Sequence, residues 1–224
     1  MRIVKEADER KNEILDTVAS LFAEKGYNET SISDIIDKVK IARGTVYYHF
    51  KSKEDILDAL IKRISSRFMN AAKKIAEDKS IPVFERLLNT MMTLVTGSNI
   101  ENRQNEYLLK HIHKPQNALM HQKIHDLMLK SMPPILTGII EDGIREGLFN
   151  TPYPYESLEM VTAHIIMVFD YNYMPYLSQE EQMKRIHAFI FNMERLLGVK
   201  SGSFAPMLIL FRLSGENNEV SHVR

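Results

Sequence analysis

The chain has 224 residues, 44% of them hydrophobic, with 29 basic residues balancing 29 acidic ones and no cysteine. That length buries one or two cores of ordinary domain size, and the neutral total means that any charged field must be local. The lack of cysteine excludes disulfides, thiolate catalysis and cysteine metal sites, and no run of about eighteen uncharged apolar residues exists to span a membrane. The segment Met1-Arg2-Ile3-Val4-Lys5-Glu6 lacks the apolar core of a signal peptide, so a cytoplasmic protein without a membrane partner is expected.

The pattern is helical from the start. A first helix is predicted from about Asp8 to Lys25, with Ile14, Val18, Leu21 and Phe22 on one face and Gly26 closing it. In the second, Ile32, Ile35, Ile36 and Val39 fall at i, i+3, i+4, i+7, and Ser31 with Asp34 makes a helix-start signal. The third, opening at Arg43, buries Val46 and Phe50 at i, i+4. Gly44, Thr45, Tyr47 and Tyr48 then face outward, with Arg43 and His49 at the ends. From Lys38 to Lys53 there are Lys38, Lys40, Arg43, Lys51 and Lys53 but no Asp or Glu, the local positive field expected of a groove reader. Arg43 can fork onto guanine, Thr45 can meet a thymine methyl or a phosphate, and the two tyrosine hydroxyls can reach phosphate oxygens. Gly44 leaves room for close approach of backbone and DNA.

These residues resemble the TetR/AcrR family of bacterial transcriptional regulators. The resemblance is carried by Gly26-Tyr27, by Thr30-Ser31 opening the second helix, by Gly44-Thr45-Val46-Tyr47-Tyr48-His49-Phe50, and by Lys51-Ser52-Lys53-Glu54 opening the fourth. It implies that Arg43, Gly44, Thr45, Tyr47, Tyr48 and His49 face the major groove or its flanking phosphates, with Lys53 on a phosphate, and Thr30, Ser31 and Lys40 join them as DNA-binding candidates. Two positions depart from the family pattern. Lys40 replaces a common turn glycine, and Ala42 replaces the usual Ser or Thr cap, which removes a side-chain cap from the reading helix.

A fourth helix starts at Ser52 and carries Ile56, Leu60, Ile61, Ile64 and Phe68 toward about Glu77. Pro82 opens the fifth, which ends near Gly97, and a sixth covers about Glu101 to His113. Pro115 starts a seventh toward Arg145, and the pair Pro133-Pro134 is expected to kink or break it. After Asn150-Thr151-Pro152-Tyr153-Pro154 an eighth runs to about Tyr173, and a ninth spans Gln179 to Leu197 with Gly198 as its stop. Leu158, Val161, Ile165, Ile166, Val168 and Phe169 make the eighth apolar around much of its circumference. The ninth carries a long stripe from Met183 to Leu197, so both should be buried on more than one side. An apolar tail, Phe204 to Leu213, has no assigned role.

The expected fold is all-α, with about nine helices. Residues 1–51 form a three-helix helix-turn-helix DNA-binding domain, residues 52–200 a ligand-binding and dimerisation domain, and residues 201–224 a tail. The resemblance implies a homodimer through the last two helices on a palindromic, double-stranded operator, and repression relieved by a small-molecule effector held among helices four to seven. Met91, Met92, Tyr107, His111, Met128, Met132 and Phe169 are the candidate lining. No cofactor and no metal are expected. The alternatives are a metal sensor built on His111, His113, His121 and His125 with Asp126 or Glu106, or an interaction module that does not bind DNA. No glycine-rich phosphate loop, nucleophile elbow or H-E-x-x-H occurs, so an enzyme is not expected.

Overall fold

Helix ends fall where the caps are. The computed structural model describes residues 7–96, 111, 114–168 and 176–208, and among these it has eight α-helices and no strand. They are α1 (Ala7–Glu24), α2 (Ile32–Val39), α3 (Arg43–His49), α4 (Lys53–Glu77), α5 (Val83–Thr96), α6 (Ala118–Arg145), α7 (Pro154–Val168) and α8 (Gln179–Leu197). The expected helix over 101–113 lies outside the described residues. Two compact units divide the chain: Met1–Arg67 with Asn99–Asp126, and Phe68–Ser98 with Leu127–Arg224.

In the first unit, α1 ends when Gly26 turns to φ 89°, with its N–H on the Phe22 carbonyl at 3.0 Å. Ile14, Val18 and Phe22 of α1 are buried, as are Ile35 of α2, Val46 and Phe50 around α3, and Ile56, Leu57 and Leu60 of α4. Arg63 of α4 ties back to α1 through Asp16 at 2.9 Å and the Asn12 carbonyl at 3.2 Å. This core fixes where α3 stands.

In the second unit, the end of α4, α5, the later part of α6, α7 and α8 share one apolar core that includes Leu87, Met91, Met132, Leu136, Leu158, Phe189 and Met193. Ser178 and Glu181 form a reciprocal capping box at the start of α8, and Gly198 closes that helix at φ 65°. Of the kink or break expected at the proline pair, the break does not occur: α6 runs unbroken through Pro133 and Pro134. The two missing N–H groups would have met the carbonyls of Leu129 and Lys130, both exposed residues whose carbonyls water can satisfy, while Met132 and Leu136 beside the prolines are fully buried. Pro115 does not open this helix. Pro115–Asn117 is a separate 3₁₀ turn before it. The beginning of the apolar tail also has a position: Phe204 and Met207 are buried in this core, and the Phe204 N–H donates to the buried Glu194 carboxylate at 3.0 Å.

Candidate nucleic-acid interface

The turn before the reading helix is held from both sides. At the start of α2, the Ser31 hydroxyl accepts from the Asp34 N–H at 3.1 Å, and the Asp34 carboxylate accepts from the Ser31 N–H at 2.7 Å. The Ser31 backbone bond, the Lys25 ammonium at 2.9 Å and the Ser31 hydroxyl hold the Asp34 carboxyl well below the usual carboxylate range. At its end, Lys40 adopts a left-handed conformation (φ 57°, ψ 45°) and its N–H closes on the Ile36 carbonyl at 2.9 Å. It is the one non-glycine residue at positive φ among those described. The turn that usually takes glycine therefore keeps its geometry and bears a lysine.

Helix α3 has no side-chain cap at Ala42, as its sequence implies, and ends where Phe50 extends and donates its N–H to the Val46 carbonyl at 2.9 Å. Val46 and Phe50 anchor it inward. Arg43, Gly44, Tyr47 and Tyr48 are exposed, Tyr48 by 79%, and Thr45 and His49 are half-buried beside them. The Arg43 guanidinium lies 5.5 Å from the Tyr47 ring centre, which holds it along the outer face of the helix. A Cβ on Gly44 would meet nothing within 4 Å, so the fold itself does not require glycine there.

The charge at this face is smaller than the sequence alone suggests. Lys38 pairs with Glu24 at 3.0 Å, whereas Lys40, Arg43 and Lys51 have no ion pair among the described residues. Lys53, at the start of α4, donates to the carbonyls of Tyr27 at 2.8 Å and Asn28 at 3.3 Å, and its ammonium sits 4.3 Å from the Tyr27 ring centre. Burial lowers its pKa, and the nearby Glu29 opposes that shift. Two of its three donors are therefore engaged within the protein, leaving one for a phosphate. Thr30 is buried and donates its hydroxyl to the Gly26 carbonyl at 2.7 Å, so its side chain closes the α1–α2 turn and does not face solvent. The Ser31 hydroxyl is likewise engaged by Asp34, at 2.7 Å.

The remaining candidates scatter. Met91 and Met132 are buried in the second unit's core, and Met92 and Met128 pack against it. His111 belongs to the first unit, where its carbonyl accepts from Asn117 at 2.9 Å. Tyr107 and Phe169 lie outside the described residues. The His121 and His125 rings are 4.0 Å apart, but among the described residues no group of three or more His, Cys, Asp or Glu side chains can hold a metal ion, and His113 and Glu106 are not described. No described helix is long and apolar enough to cross a membrane.

A short helix with an uncapped start and an outward face of arginine, threonine and two tyrosines, set behind a tight turn, defines a helix-turn-helix DNA-binding protein. Residues 14–60 match the bacterial regulatory proteins of the tetR family, and residues 98–191 match the tetracyclin repressor-like C-terminal domain. The fatty acid metabolism regulator protein of Bacillus subtilis is 30% identical over 60% of this chain and 68% of its own length. The transcriptional repressor KstR2 of Rhodococcus jostii is 25% identical over 66% of this chain and 71% of its own. The solved structure of SmeT, the repressor of a Stenotrophomonas maltophilia multidrug efflux pump, shares the fold with a TM-score of 0.59 at 20% identity, covering 89% of this chain and 95% of that one. The chain belongs to the TetR family of bacterial regulatory proteins. It is a DNA-binding transcriptional regulator of a family whose members typically bind operators and ligands as dimers.

Proposed function

We propose that the protein is a cytoplasmic, homodimeric repressor that holds a palindromic operator and releases it when an apolar small molecule enters the second unit. The observation that carries the reading is the outer face of α3, where Arg43, Gly44, Tyr47 and Tyr48 are exposed, Thr45 lies half-buried beside them, and no neighbour requires glycine at Gly44. In this reading Ser31, Lys40, His49 and Lys53 add contacts to the flanking phosphates, and residues 1–51 act as the reading head. Dimerisation is supported by Met160, Met167 and Phe191 on α7 and α8, which are 60%, 69% and 49% exposed. The effector class is supported by the methionines Met91, Met92, Met128 and Met132 and by the 30%-identical fatty acid regulator, which puts fatty-acid derivatives first among candidates.

The test begins with operator sites selected from a random DNA pool. Two half-sites about one helical turn apart, ~34–36 Å between reading helices, are expected. Inserting half a turn between them should abolish tight binding, and Phe191→Asp with Met167→Asp should give a monomer that binds weakly. Unchanged affinity after the insertion would sink the two-fold reading. Acyl derivatives added to the intact complex should release the DNA, and an operator affinity indifferent to all of them would sink the effector class.

A further inference from the structure

Between the α1–α2 turn and the start of α4 lies a set of contacts that DNA reading by α3 alone does not explain. Asn117, in the 3₁₀ turn before α6, is completely buried, and its side-chain amide is spent on backbone groups. Its Oδ1 accepts from the Tyr27 N–H at 2.7 Å. Its Nδ2 donates to the His111 carbonyl at 2.9 Å and the Phe22 carbonyl at 3.4 Å. Beside it, the Gln116 carbonyl accepts from the Asn28 N–H at 3.1 Å, and the Gln116 side chain occupies the space a Cβ on Gly26 would need, with Cγ only 2.0 Å from that position. Gly26 is thus required twice, by its positive φ and by Gln116.

The next peptide, Tyr27–Asn28, leads to the DNA face: its N–H is the one held by the Gln116 carbonyl, and its carbonyl is that of Tyr27. The Tyr27 N–H belongs to Asn117, and the Tyr27 carbonyl holds the Lys53 ammonium at 2.8 Å. Further along α6, Lys123 donates to Glu54 and Asp58 on the first turns of α4, each at 2.8 Å, and these bonds, Asp58 first, raise its pKa. The segment from 114 to 123 therefore braces both flanks of the helix-turn-helix.

We propose that Asn117 is a positioning residue for operator binding, anchoring the Tyr27 N–H and the turn that carries the Gln116 carbonyl so that the Tyr27 carbonyl, in the next peptide, presents the Lys53 ammonium to a DNA phosphate. The proposal rests on Lys53 being a phosphate contact. Asn117 holds the Tyr27 N–H and its neighbour Gln116 holds the Asn28 N–H, so the peptides on both sides of the Tyr27 Cα are fixed. Without Asn117 the turn that carries the Gln116 carbonyl loses its anchor, both peptides flanking the Tyr27 Cα loosen, and Lys53 reverts to the many rotamers of an unguided lysine before each encounter with DNA. The effect acts on positioning and not on base choice.

The test measures the full chain on its selected operator and on random DNA, with melting temperatures alongside. Asn117→Ala should weaken both DNAs by the same factor, on the order of tenfold, the worth of one charge-assisted hydrogen bond. In a Lys53→Ala background the same substitution should cost nothing further, whereas losses that multiply would overturn the proposal. Asn117→Asp provides a second comparison. It keeps the acceptor for the Tyr27 N–H but sets a carboxylate against the Phe22 and His111 carbonyls, so it should be less stable than Asn117→Ala and yet bind DNA more tightly. Affinity that simply follows stability across the two variants would make Asn117 structural only. If Lys53→Ala alone leaves random-DNA binding unchanged, the phosphate reading of Lys53 fails, an outcome separate from failure of the Asn117 coupling.

Discussion

Lys53 and Arg43 carry similar charges at the same face, yet their surroundings predict losses of different kinds. Lys53→Ala removes a donor to two carbonyls, at 2.8 and 3.3 Å, and a cation over the Tyr27 ring. Hydrogen bonds from a charged group contribute about 1.5–3 kcal/mol, but the burial that lowers the Lys53 pKa offsets part of that, leaving a net loss of about 1 kcal/mol. For a chain of this size that lowers the melting temperature by about 2–4 °C. Arg43→Ala loses only an exposed stacking contact on Tyr47, about 0.5–1 kcal/mol at most, so its melting should scarcely change. On DNA the order reverses in kind. Lys53→Ala should weaken operator and random sequence together and reduce the log-salt slope by about one per subunit, because one fewer counterion is released. Arg43→Ala should cost about 1–3 kcal/mol at one base position per half-site and little on random sequence. Fluorescence anisotropy over a salt series, on the operator and on single-base variants, separates the two. Equal weakening of every sequence by Arg43→Ala would make Arg43 a backbone clamp and move specificity to Thr45, Tyr47 or DNA shape. If Lys53→Ala melts like the native chain, the carbonyl contacts of Lys53 do not hold in solution.

Two further expectations concern stability. Asp142 faces the fully buried Arg86 at 2.7 Å and also meets Lys79 and Arg145, whose side chains are 64% and 67% exposed. Asp142→Asn should therefore cost about 3–5 kcal/mol by stranding a buried guanidinium, whereas Lys79→Ala should cost under about 1 kcal/mol, and urea unfolding that ranks the two equally would refute the assignment. The Lys79 hydrogen bond, then the Lys79 and Arg86 charges, lower the Asp142 pKa against the opposing effect of burial. Its contribution should be complete above about pH 5 and lost as pH falls through the folded value, a loss that Asp142→Asn should abolish. Lys40→Gly should raise stability by about 0.5–1 kcal/mol by relieving the left-handed turn, while weakening DNA binding through the lost charge, and a lower melting temperature would contradict the strain.

Helix boundaries were the most legible part because caps are local chemistry. Ser31 with Asp34 and Gly198 after Leu197 each act within one turn of chain, so their signals are complete in the sequence. Pairings across space left no such trace. The acid-free run from Lys38 to Lys53 reads as uniformly basic, yet Lys38 meets Glu24 fourteen residues upstream. Thr30 reads as a candidate at the DNA face, and only the position of the Gly26 carbonyl shows its hydroxyl turned inward. Asn117, after a proline and a glutamine, looks like an ordinary turn residue. Its partner Tyr27 is 90 positions away, and no spacing rule connects them. The proline pair in α6 shows the opposite failure. The local rule was correct about the lost donors, but it could not tell that the carbonyls concerned belong to exposed residues while the flanking side chains bury deeply enough to keep the helix whole.

The local rules that do fail are concentrated around α3. A lysine sits in a left-handed turn, a helix of seven residues starts without a side-chain cap, a glycine occupies a helical position that no neighbour crowds, and a tyrosine stands almost fully in solvent. Each costs a fraction of a kcal/mol to about 1–2 kcal/mol in isolation, and the contacts that answer them within the described residues are slight, an edge contact of Tyr48 on the His49 ring and the Lys40 N–H on the Ile36 carbonyl. The rest of the first unit obeys the same rules closely, from the Gly26 stop to the Ser31 box. Departures gathered on one exposed face, with the stable core of α1, α2 and α4 behind them, imply that the compensating contacts come from a partner outside the chain. A partner that rewards a lysine, an arginine and two tyrosine hydroxyls along one narrow helix is a polyanion with readable edges, which is the chemistry of duplex DNA.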